Sequence, residues 1–173
     1  WGIILTFFGH AGGMLVPQRV FDFFGINAAA HMTVAYWSGL AVGVAAFAGV
    51  LLLAWRRLTR QRVRVTTSAN DTVTVGALVV VICLGLYNVV FGHYNVLYTL
   101  APWIRGIVTF TPDPMLMREV PLSYKLHVTA AWALLGFSPF SRLVHIWSAP
   151  VYYLLRRPIV MRRHPANPAP ERI

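Results

Sequence analysis

From His31 to Trp55 the chain runs for 25 residues without a lysine, arginine or carboxylate (HMTVAYWSGLAVGVAAFAGVLLLAW), then meets Arg56 and Arg57. A helix of that length extends about 37 Å, and the hydrocarbon core of a bilayer is about 30 Å thick. In lipid the backbone has to satisfy its own polar groups, which a helix does within one segment. The run therefore predicts a transmembrane helix, segment B. Gly39, Gly43, Ala45, Ala46 and Gly49 give it small residues that let helices approach closely in lipid. Composition agrees, with 57% hydrophobic residues and only 12% charged.

Three further runs fit the same pattern. Segment A, Trp1 to Pro17, reaches about 25 Å, at the short limit for a span. It begins inside an apolar run, with no methionine or basic leader before it, and so reads as a helix that has lost its first turns. Residues 18–30 form a loop, with Phe21, Phe23 and Phe24 around Asp22 suited to a lipid interface. Segment C, Asp71 to about Phe91, follows the basic loop 56–70 and has Asn70 or Asp71 as its N-cap. Residues 92–121 form a longer loop with a short interfacial helix around Trp103 to Phe110. Segment D, Leu122 to Val151, is the fourth span, and Pro139 predicts a kink in it. The fold class is an all-α membrane helical bundle of four transmembrane segments, the first incomplete. Residues 1–154 form the membrane domain and residues 155–173 a basic, proline-rich tail.

The net charge of +10 does not mark a nucleic-acid surface, because the arginines gather at the ends of apolar runs. Arg56, Arg57, Arg60, Arg62 and Arg64 occupy the loop between B and C, and Arg156, Arg157, Arg162, Arg163 and Arg172 the tail. The opposite loops and the start of D hold Arg19, Arg105, Arg118 and Lys125. By the positive-inside rule the B–C loop and the C-terminus are cytoplasmic in a multi-pass plasma-membrane protein. The single cysteine, Cys83, lies within segment C and reads as a packing residue.

Histidines carry the chemistry. His127 and His145 are 145 − 127 = 18 residues apart on segment D. On one continuous helix that is five turns, so both rings share a face about 27 Å apart along the axis. An ionisable side chain within a span normally faces the bundle interior and has a function. Two on one stripe, one near each leaflet, point to two stacked cofactors, and imidazole is a standard axial ligand of haem iron. His10, towards the outer end of segment A, lies at the depth of His127 and pairs with it. His145 has no histidine at the inner ends of B or C, so its partner is expected in the missing start of segment A. A lone membrane histidine is as often a hydrogen-bonding structural residue as a ligand; three at matching depths favour ligation. His31 opens segment B on the outer side, either as a polar residue at a helix start or as acceptor of a proton from a quinol. His93 reads as a surface residue and His164 as part of the tail.

The runs GHAGGMLVP (9–17), RRLTRQRVRVTT (56–67) and PFSRLVHIWSAPVYYL (139–154) closely resemble the gamma subunit of respiratory nitrate reductase. That family is a five-helix dihaem cytochrome b, of which this chain would hold the last four helices. The resemblance implies that His10 and His127 are the axial ligands of a distal haem b on the outer side. It implies that His145 binds the proximal haem with a histidine ten residues before His10, one position ahead of Trp1. Only the distal site would then be complete here. It further implies quinol oxidation near the distal haem, with electrons passing to a cytoplasmic iron–sulfur beta subunit and nitrate reduced in a molybdenum alpha subunit. Arg142, three residues before His145, either pairs with a haem propionate or serves as a positive-inside anchor. Two rival readings remain. One is a related cytochrome b that feeds quinol electrons to a sulfur- or disulfide-linked iron–sulfur complex. The other is a haem-free channel or transporter with histidines in a proton path.

Overall fold

The computed structural model describes residues 1–148, and no strand occurs among the described residues. The tail assigned to residues 155–173 and the last residues of segment D lie outside them.

Segment A forms helix α1 (Gly2–His10), which passes into a π-helical turn at Ala11–Leu15. Pro17 caps a short helix α2 (Gln18–Phe23), inside the stretch expected to be loop. Segment B is helix α3 (Ala28–Thr59), longer at both ends than the apolar run itself. The Asn27 side chain accepts the Ala30 N–H at 2.9 Å and fixes its start. The basic loop contains one short helix, α4 (Gln61–Val65).

Segment C is helix α5 (Ala69–Tyr87), continued by a second π-helical turn at Asn88–Gly92. Its N-cap is Ser68 and not Asn70 or Asp71. The Ser68 hydroxyl accepts the Asp71 N–H at 3.2 Å, and the Asp71 carboxylate accepts the Ser68 N–H at 3.0 Å. This reciprocal pair satisfies two free donors at once, which a cap at Asn70 or Asp71 would not. The interfacial helix lies three residues earlier at its start than expected, as α6 (Leu100–Val108).

Segment D departs most from expectation. Helix α7 (Leu122–Phe137) ends before Pro139, a 3-10 turn covers Ser138–Phe140, and Ser141 is extended before α8 (Val144–Trp147). Proline lacks an N–H and its ring crowds the preceding turn. The Ser138 hydroxyl also donates to the Leu135 carbonyl at 2.7 Å, giving the helix end a local partner. The chain breaks here and does not merely kink. His127 and His145 thus lie on separate helices, and the five-turn relation drawn between them does not hold.

The long helices pack in sequence, α1 on α3, α3 on α5 and α5 on α7. Small residues set the closest approaches. A Cβ on Gly43 would lie 2.7 Å from Leu86 Cδ2, and one on Gly2 3.0 Å from Ala46 Cα. Gly49, by contrast, faces open space. Two helical runs, Ala28–Thr59 and Ala69–Gly92, are long and apolar enough to cross a membrane; Gly2–Leu15 is apolar but shorter. Helix α7, at 16 residues, also falls short of a full span. Of the most apolar 18 residues in the two long runs, only 6% and 11% are buried. Phe7, Phe8, Trp37, Leu52 and Trp55 all stand exposed. A soluble core would hide such side chains; a lipid-facing surface presents them.

Candidate functional site

Between α1 and α7 the rings of His10 and His127 face one another, with centroids 6.2 Å apart and planes inclined by 34°. Each ring is held from behind by a backbone carbonyl. His10 Nδ1 lies 2.8 Å from the Thr6 carbonyl of its own helix, and His127 Nδ1 lies 3.1 Å from the Val81 carbonyl on α5. A carbonyl only accepts, so both Nδ1 atoms carry the proton and donate. That leaves each Nε2 with its lone pair free, the state a metal ligand requires.

The spacing has a chemical meaning. A metal–imidazole bond is about 2 Å and each ring centre lies about 1 Å further out, so one ion shared by two axial imidazoles sets their centroids about 6 Å apart. Among the described residues there is no group of three or more histidine, cysteine or acidic side chains able to cage a metal ion. A pair of neutral imidazoles suits an ion whose other positions are filled by a macrocycle. The donor set therefore fits a haem with two axial histidines.

Helix α5 makes room for this arrangement. A Cβ on Gly85 would sit 3.0 Å from His127 Cε1 and 3.5 Å from its Nδ1, so the ring lies directly against a backbone without a side chain. Neither Gly85 nor the Val81 carbonyl stood out in the sequence. A glycine one helical turn from a hydrogen-bonding carbonyl is the only local signal they leave.

His31 is buried at the start of α3 and is not part of that pair. Its Nδ1 donates to Gln18 Oε1 at 2.7 Å, while Gln18 Nε2 donates to Asp22 Oδ1 at 2.8 Å and to the Ile26 carbonyl at 3.0 Å. Phe21 covers the ring at a centroid distance of 4.1 Å. Nε2 is left as the free acceptor and lies beside Gly13, in the π-helical turn that follows His10. Arg105 on α6 steadies the same turn, donating to the Met14 carbonyl at 2.8 Å.

His145 and Arg142 stand at the other, arginine-rich end. His145 is exposed and lines a cavity of about 270 Å³ together with Arg142 and Asp71; among the described residues no other histidine lines it. Arg142 is already engaged, its Nε 3.0 Å from Asp71 Oδ1 and its Nη2 3.5 Å from the Thr66 carbonyl. His93 is exposed, as expected, in a left-handed conformation that closes the second π-helical turn.

A helical bundle with two membrane-length apolar helices and two opposed, carbonyl-anchored imidazoles defines the class as a membrane protein with a candidate two-histidine ligand site. Residues 1–164 match the nitrate reductase gamma subunit family, and the chain belongs to that family. It is 35% identical over 167 residues to the nitrate reductase gamma chain of Bacillus subtilis, covering 94% of this chain and 75% of that one. The respiratory nitrate reductase 1 gamma chain of Escherichia coli is 34% identical over 169 residues, again 94% of this chain and 75% of that one. The nitrate reductase-like protein NarX of Mycobacterium tuberculosis is 37% identical over 168 residues, 94% of this chain but 26% of that protein.

Proposed function

We propose that this chain is the haem b membrane subunit of a quinol:nitrate oxidoreductase. In this reading α1, α3, α5 and the segment from α7 onward cross the plasma membrane, with the arginine-rich end and the C-terminus cytoplasmic. Quinol is oxidised at the His10 end, and electrons leave at the His145 end to an iron–sulfur beta subunit. Nitrate is reduced in a molybdenum alpha subunit. The observation that carries the reading is the opposed pair His10 and His127, 6.2 Å apart and each anchored through Nδ1.

His10 and His127 would hold the distal haem and His145 the proximal one. Bound there, haem would supply a one-electron acceptor held by His10 and His127. The chain's own residues then do the rest. The Thr6 and Val81 carbonyls fix both tautomers and ring orientations. His31 takes a proton from a quinol hydroxyl at Nε2, because Gln18 occupies its Nδ1–H. Gln18 is in turn oriented by Asp22 and the Ile26 carbonyl. Arg142 keeps donors beyond the Nε given to Asp71, and a guanidinium fork can turn these to a haem propionate.

The test is His127→Ala in the intact protein, read by redox-titrated absorption spectra and quinol oxidation. Loss of the distal haem and of quinol oxidation, with the second haem spared, is expected. Retention of both haem signals would refute the pairing.

A further inference from the structure

We infer that Asp71 is a positioning residue that holds Arg142, and through it His145, at the arginine-rich end of the bundle. This rests on the proposed role of His145 as a haem ligand. Asp71 is 4% exposed, although it sits in the first turn of α5 beside the most basic loop of the chain. A buried carboxylate is tolerated only when paired and hydrogen-bonded. Here Oδ1 takes Arg142 Nε at 3.0 Å, while Oδ2 takes the Ser68 N–H at 3.0 Å and lies 3.5 Å from Arg57 Nη1.

Those two arginines come from different elements. Arg57 closes α3, and Arg142 lies in the turn before α8. The single carboxylate therefore joins the end of α3, the start of α5 and the segment that bears His145. That segment needs the tie, because Pro139 separates it from α7 and its own helix is only four residues long. The His145 N–H donates to the Arg142 carbonyl at 3.4 Å, so displacement of Arg142 carries the histidine with it. A second strap runs alongside, from Asn70 Nδ2 to the Phe140 carbonyl at 2.6 Å. Asp71, Arg142 and His145 line one cavity, within which the carboxylate offsets the guanidinium charge.

Asp71→Asn keeps the shape and removes the charge, leaving Arg57 and Arg142 close together without a counter-ion. In the intact complex, redox-titrated absorption spectra should show the midpoint potential of the His145 haem rising, since uncompensated positive charge favours the reduced state. The haem of His10 and His127 should keep its potential. Asp71→Glu should restore most of the original potential, and Asp71→Asn added to Arg142→Gln should shift it less than Asp71→Asn alone, since only Arg57 then loses its counter-ion. If the unsubstituted complex shows no haem, the proposed function itself fails. If it shows both haems and Asp71→Asn titrates identically, the positioning role is overturned and the function stands. Joint loss of both haem signals in Asp71→Asn and Arg142→Gln makes Asp71 a folding residue only and equally overturns the proposal.

Discussion

Gly85→Ala perturbs the proposed haem site without replacing either imidazole. The added methyl would lie 3.0 Å from His127 Cε1, several tenths of an ångström inside ordinary contact, and 3.5 Å and 3.6 Å from its two nitrogens. The methyl sits on the α5 backbone and cannot swing aside, so the imidazole has to move. Moving the ring strains its bond to the Val81 carbonyl, 3.1 Å in the unperturbed site, and changes the 6.2 Å spacing to His10. Overpacking of this kind costs about 1–3 kcal/mol, and a weakened hydrogen bond adds about 0.5–1.5 kcal/mol. Most of that falls on the haem-bound state, which needs both rings in register. A loss of 1–3 kcal/mol corresponds to about 5- to 150-fold weaker haem retention at the distal site. Reduced-minus-oxidised spectra of the intact complex, followed during haem extraction, read this directly. The distal signal should be lost first and fastest, with the proximal signal unchanged. Equal retention of both haems in Gly85→Ala would refute the close approach of His127 to α5 as a determinant of the site.

Two further substitutions probe the π-helical turn that follows His10. His31→Gln should lower kcat/KM for quinol by about 10²- to 10⁴-fold, the usual contribution of a general base, while leaving both haem spectra intact; steady-state quinol oxidation beside a haem spectrum checks it. Arg105→Gln removes the 2.8 Å donor from the Met14 carbonyl of the first π-helical turn. A part-buried hydrogen bond contributes about 0.5–1.5 kcal/mol, so the variant should unfold at lower temperature in detergent, and an unchanged melting profile would count against that contact.

Apolar length made α3 and α5 legible to within a few residues, because lipid leaves a helix as the one economical way to satisfy backbone groups along such runs. The meeting of His10 and His127 was legible for the same reason, because rise per residue converts position into height along a helix, and their rings face one another; the same conversion failed between His127 and His145, which lie on separate helices. The break at Phe137 was not legible, since Pro139 fits a kink and a stop equally well from sequence. The Ser68 cap carried its own signature, Ser68-Ala69-Asn70-Asp71, a capping box whose fourth residue was itself mistaken for the cap. Gln18 gave no local hint, because its partner His31 lies thirteen residues away across a turn. The contact of Arg105 with Met14 spans 91 residues and no periodicity encodes it. Asp71 could have been found by charge alone, as it is the one acidic residue among five set at the edge of an apolar run beside five arginines.

Helix α5 carries no histidine, yet it governs the placement of both histidines on the segment after it. Near its middle, the Val81 carbonyl and the bare backbone of Gly85 fix the tautomer and depth of His127. At its first turn, Asp71 fixes Arg142 and with it the turn that leads to His145. Because α7 ends at Phe137, no continuous helix transmits a fixed distance between the two imidazoles. Their separation is instead measured along α5, from Asp71 to Gly85, 85 − 71 = 14 residues of uninterrupted helix or about 21 Å. A rigid ruler on a neighbouring helix lets the Pro139 segment bend without moving either anchor. Inserting one alanine between Thr74 and Val81 would therefore disturb both proposed haem environments at once, whereas the same insertion within the 3-10 turn after Phe137 should disturb the His145 environment alone.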